Sequence, residues 1–168
     1  MTLKIESTSS SESADFIASF LNTHASGVLG TSTIDGEPHG AVVYFSLQAD
    51  FGLTFATKVE TQKYKDILEN DQVSFVVYDE QAQTAVQVMG HVSTITDPKV
   101  SLEVIDHMYI TSPKLSLPNL PPADRLVAGR YVAFRLDPMV IKMAIYSRSD
   151  EERDDIYETM LFSNKGIL

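Results

Sequence analysis

Lys58, Lys63 and Lys65 stand close together in KVETQKYKDIL, beside the hydroxyls of Thr57 and Thr61. Thr61 is the expected N-cap of a helix starting there. The first turn would then carry unpaired backbone N–H groups and the positive end of the helix dipole, which favour an anion. Lys63 adds a full charge that can bond a phosphate oxygen. Immediately upstream, GAVVYFSL, the turn QADFG and LTFAT read as two adjacent strands. From Gly40 to Lys65 the chain therefore offers two sheet walls ending in a small cationic pocket, a combination suited to a flat, partly apolar ligand with one phosphate. The plainer alternative is that these lysines only solubilise an exposed turn.

Other chemistries have less support. The chain contains no GxSxG, HExxH or Walker A motif, and no cysteine for a thiolate nucleophile or zinc-thiolate site. His24, His39, His91 and His107 are too scattered for a metal signature, so no metal site is expected. His39 reads as a polar residue on a hairpin edge, and His107 as a favourable cation at a helix C-terminus.

The 168 residues amount to about one domain, taken as 1–168 with an N-terminal helix and a tail over 147–168. Hydrophobic residues make up 43% and charged residues 21%, and no apolar run approaches the roughly 20 residues of a membrane-spanning helix. The leader MTLKIESTSSSES lacks a basic region followed by an apolar core, so a soluble, cytoplasmic protein is expected. A net charge of -10 disfavours a nucleic-acid surface, and the lysine cluster suffices for one phosphate but not a duplex.

Periodicity supplies the elements. Phe16, Ile17, Phe20 and Leu21 predict a helix over about 11–22 that buries Phe16 and Phe20. Asp35-Gly36 predicts a tight hairpin turn, with Pro38 at the start of the next strand. In that strand Ala41, Val43, Phe45 and Leu47 share one face and Val42, Tyr44 and Ser46 the other, and either face could be core. A helix over about 61–69 would bury Tyr64, Ile67 and Leu68. Strands follow at 73–79 and 84–95, the second with a bulge or close backbone approach at Gly90. Asp97-Pro98 opens a helix over about 99–109 with Leu102, Ile105 and Met108 inward. Four prolines over 111–124 predict a stiff irregular loop, and Asp137-Pro138 splits the last strand run in two. Ile156, Tyr157, Met160 and Leu161 fall on one helical face in the tail. About seven strands at hairpin spacing predict a mostly β, α+β chain folded as an antiparallel barrel or sandwich.

The order of GVLGTSTIDGEPHGAVVYFSL, LTFATKVETQKYKDILENDQVSFVVYD and VQVMGHVSTI resembles the FMN-binding split-barrel superfamily of pyridoxamine 5'-phosphate oxidase-like proteins. FATKVETQK, a short helix and NDQVSFVV form the most specific part. The resemblance implies an antiparallel split β-barrel that binds FMN and acts as an oxidoreductase on a small molecule. It also implies a homodimer with the cofactor at the interface. By the same resemblance Ala41, Val42, Val43, Tyr44, Phe45 and Ser46 would flank the flavin ring. Ala56 and Thr57 would approach the ribityl chain, Gln62 and Lys63 would hold the phosphate, and Gln87 would offer a further contact. Lys58 joins the set on charge alone. The chain departs from the vitamin-B6 oxidases at Ser46, where they carry a substrate-binding Lys, at Ala85, where they carry a flavin-contacting Gln, and in having no Trp. Oxidation of pyridoxamine phosphate itself is therefore not expected. Since the superfamily includes F420 and haem binders, the alternative is a non-catalytic dimer holding haem, F420 or a metabolite as carrier or sensor.

Overall fold

Period-two alternation is realised as a closed barrel. The structure, a computed structural model, describes residues 11–115, 130–147, 157–163 and 166–167. Helix α1 (Ser11–Thr23) leads into β1 (Ser26–Ser32), β2 (Pro38–Leu47) and β3 (Leu53–Lys58). Then follow α2 (Gln62–Glu69), β4 (Gln72–Asp79), β5 (Thr84–Thr94), α3 (Pro98–Leu115), β6 (Tyr131–Ile145), β7 (Tyr157–Ser163) and β8 (Gly166–Ile167). Pairing runs β3-β2-β1-β4-β5-β6, and β3 pairs in turn with β6, so six antiparallel strands close on themselves.

Strand β6 makes that closure. One edge pairs with β5 over most of its length. The other edge is shared, with Tyr131–Leu136 on β3 and Val140–Ala144 on β7. The question left open on β2 is settled by burial: Val43 and Phe45 face the barrel interior, whereas Val42 is 69% exposed. Inside, Phe45 meets Phe75 edge to face at 5.0 Å, and Phe55 stacks on Phe134 at 5.6 Å. Ring pairs at such distances add to the apolar burial that holds the barrel.

The expected turns are present. Gly36 takes a φ of +87°, and β2 begins at Pro38, whose missing N–H costs nothing there. At Gly90 the β5–β6 register shifts by one residue, and a Cβ there would run into the Asp137 carbonyl and the Pro138 Cα. Pro138 thus sits in a bulge, so β6 continues through Asp137-Pro138 where the sequence predicted two strands. Gly90→Ala should lower stability by about 1–2 kcal/mol, measured by urea denaturation, because rigid backbone must yield.

Other expectations need correction. In α1 the buried residues are Ile17, Phe20 and Leu21, while Phe16, at the edge of the apolar stripe, is 48% exposed. In α2 Ile67 is buried but Leu68 is 60% exposed, because the helix turns Asp66 inward instead. Helix α3 is capped by the Asp97 carboxylate, which accepts from the N–H groups of Lys99 and Val100, and it runs on to Leu115. Thr111–Leu115 is therefore helix rather than loop, His107 lies mid-helix, and Leu102 is 57% exposed while Met108 is buried. The rest of the proline-rich stretch, 116–124, and the tail position Ile156 lie outside the described residues. Tyr157–Ser163 is a strand, not a helix: the edge of β6 beyond β3 offers unpaired backbone groups, and Met160 is buried opposite Ile141.

Candidate functional site

The barrel wall opens where the lysines stand. Strands β2 and β3 pair only over Phe45–Leu47 and Leu53–Phe55. Beyond that point β2 stays with β1 as far as Pro38, and β3 stays with β6 as far as Lys58. A split therefore lies between Gly40–Tyr44 and Ala56–Lys58, which no ladder pairing of β2 with β3 crosses. Helix α2 begins at the open end. The closed end is tied to β6: Arg135 donates to Asp50 and to Asp137, each at 2.6 Å. Chiefly that bond to Arg135 holds the Asp50 carboxyl below its ordinary range, against the opposing effect of burial.

The β3–α2 turn is stiffened from within. Thr61 Oγ1 donates to the Lys58 carbonyl at 2.8 Å, which makes Thr57 the donor in its 3.1 Å contact with Thr61 Oγ1. Thr61 is the N-cap of α2, yet its side chain does not cap the helix. The first-turn N–H groups are thus left for a ligand. Lys63 lies half-buried in that turn with no carboxylate within 4 Å among the described residues. Burial alone lowers its amine below the ordinary 10.5, a shift that a bound anion would reverse. Lys58 is more deeply set, 7% exposed, with its Nζ 5.1 Å from the centre of the Tyr131 ring.

Sequence reasoning missed Asp66. It is 1% exposed and accepts from Thr31 Oγ1 at 2.7 Å, from His39 Nδ1 at 3.0 Å and from Gln62 Nε2 at 2.8 Å. Burial opposes its charged form, but Thr31, Gln62 and His39 together more than offset this and hold the carboxyl below its ordinary 3.8. The one signal in the sequence was an acidic residue on the face of a helix that had to dock.

Thr57 and Lys58 at the end of β3 and Gln62 and Lys63 at the start of α2 flank one turn at the open end of the split, with the Gln62 amide bonded to Asp66. Ala41, Val42, Val43 and Tyr44 form the opposite wall, and Ala56 is buried on β3 opposite Ala133 of β6. Phe45 and Ser46 lie at the closed end, where both line a cleft of about 300 Å³ with His24 and His107. Gln87 is not part of this group: it faces outward on β5, which stands across the barrel from β2. One ligand can touch Gln87 and the split only if two copies of the chain contribute. The donor set at the split, ammonium and backbone N–H groups beside a strand-lined gap, fits a molecule with a phosphate at one end.

Fold and site together define an antiparallel split β-barrel with an anion-receptive opening. The chain belongs to the pyridoxamine 5'-phosphate oxidase family, whose profile matches residues 13–142. Among solved structures it resembles a pyridoxamine 5'-phosphate oxidase-related, FMN-binding protein from Nostoc punctiforme, at 14% identity and a TM-score of 0.58 over 99% of this chain and 95% of that one. PhzG from Burkholderia lata, in complex with tetrahydrophenazine-1-carboxylic acid, is similar at 16% identity and 0.62 over 94% and 86%. HutZ, a haem storage protein from Vibrio cholerae, is similar at 20% identity and 0.57 over 74% and 88%. No curated protein matches the chain.

Proposed function

We propose that this chain is an FMN-dependent oxidoreductase, acting as a cytoplasmic homodimer of one-domain subunits over 1–168 on a small molecule. The carrying observation is the split between β2 and β3, which opens where the start of α2, without a side-chain cap, and the half-buried Lys63, without a carboxylate partner among the described residues, stand. The phosphate of FMN would rest on the α2 N–H groups and the Lys63 ammonium, while the backbone of Ala41–Tyr44 and of Ala56 and Thr57 would run alongside the rest of the molecule. The bound flavin would supply two-electron transfer to and from the substrate. The residues of the chain bind it, orient its ring and exclude water.

Family membership and the FMN-binding Nostoc relative support the cofactor. The position of Gln87 favours two copies, as does an exposed apolar pair on the outer sheet face, where Val28 lies opposite Val42. No helix among the described residues is long and apolar enough to cross a membrane.

The absorption spectrum of the purified protein tests the reading. Flavin bands are expected, with FMN released on denaturation and identified by its mass. A colourless protein that takes up no FMN at high micromolar concentration overturns the assignment. If the same protein gave a Soret band with hemin, it would be a haem carrier, and slow deazaflavin uptake without flavin uptake would point to F420.

A further inference from the structure

His39 was expected to be an ordinary edge residue, but its surroundings are not those of a surface histidine. It pairs with Thr31 across β1 and β2, so both side chains point to the same end of the barrel, beneath α2. There Asp66, 1% exposed, accepts from Thr31 and from His39 Nδ1 with one oxygen and from the Gln62 amide with the other. The His39 side chain remains 32% exposed, and no bond is made to its Nε2 among the described residues. A buried carboxylate holding one ring nitrogen fixes the orientation of the imidazole and presents the other nitrogen outward. His39 shares the Asp66 carboxylate with Gln62, the first residue of α2, and it directly precedes Gly40 and Ala41 on the other wall of the split.

We infer that His39 is a further cofactor-binding residue that holds FMN as an imidazolium, its Nε2–H donating to a phosphate oxygen while its Nδ1–H donates to Asp66. The inference rests on the FMN reading above. Asp66 then has two tasks: it docks α2 onto the barrel and it aims the imidazole. The doubly protonated ring then lies between two anions, the Asp66 carboxylate on Nδ1 and the phosphate on Nε2, and both hydrogen bonds are charge-assisted.

FMN and riboflavin, which differ by the phosphate alone, separate this role from a structural one. In His39→Asn the amide still donates to Asp66 but nothing replaces Nε2. Titration of the apoprotein, followed by flavin fluorescence, should show FMN bound about tenfold more weakly than by wild type, with riboflavin affinity and melting temperature unchanged. Equal losses for both flavins, or no loss for FMN, overturn the inference. If His39→Asn does not fold, the wild-type Nε2 nitrogen resonance decides: it should shift with FMN and not with riboflavin, and equal responses to both overturn the inference. Wild-type protein that binds neither flavin overturns the functional reading as well, whereas wild-type FMN binding beside an unaffected His39→Asn overturns only the role of His39.

Discussion

Replacing Asp66 with alanine should lower the unfolding free energy by about 3 kcal/mol, near the low end of the range for breaking a buried, hydrogen-bonded charge site. The carboxylate joins β1, β2 and α2 through Thr31, His39 and Gln62, and its loss leaves the Thr31 hydroxyl buried without that acceptor. Gln62 and His39 reach solvent and can rehydrate, which keeps the cost from rising further. Urea denaturation should show a lower midpoint with an unchanged slope, and the melting temperature should fall by roughly 6–12 °C. The effect depends on pH. The folded carboxyl titrates below its ordinary 3.8, so its contribution is complete above about pH 4 and is lost as pH falls through the folded value. The gap between wild type and Asp66→Ala should therefore be constant from neutral pH down to about 4 and narrow below it. A gap that widened in acid would contradict the assigned direction.

Lys63→Ala should weaken FMN binding about a hundredfold, the consequence of removing one charge-assisted phosphate contact of about 2–3 kcal/mol. The riboflavin affinity should change little. Since Lys63 is half-buried without a carboxylate partner among the described residues, the apoprotein should not be destabilised by its removal. Isothermal titration with both flavins, together with a thermal melt of the apoprotein, reads all three quantities. The wild-type FMN affinity should also fall with added salt, and the variant's less steeply. Equal FMN affinity in wild type and variant would place the phosphate elsewhere.

Short-range signals were legible in the sequence. Asp35-Gly36 marked its turn, Pro38 a strand start, Gly90 a close backbone approach and Thr61 the start of α2, and each is set by the conformations its own residues allow. The lysines at the β3–α2 turn were legible for the same reason. Features decided by distant partners were not. Asp66 is inward only because Thr31 and His39 arrive from strands some 30 residues away, a pairing that no local pattern announces. The tail around Met160 is apolar at helical spacing, yet an open edge on β6 made it a strand. Pro138 looked like a break until Gly90 on the neighbouring strand supplied the space for a bulge.

The double pairing of β6 also bears on synthesis at the ribosome. Lys58 completes β3, but the partner for that strand begins only at Tyr131, a gap of 73 residues that takes roughly 4–15 s to translate. During that interval the nascent sheet carries two unsatisfied margins, β3 with Leu53, Phe55 and two threonines and later β5 with three valines and two threonines. Chains stalled in this window are the species most prone to cross-association, and holding chaperones should engage them there.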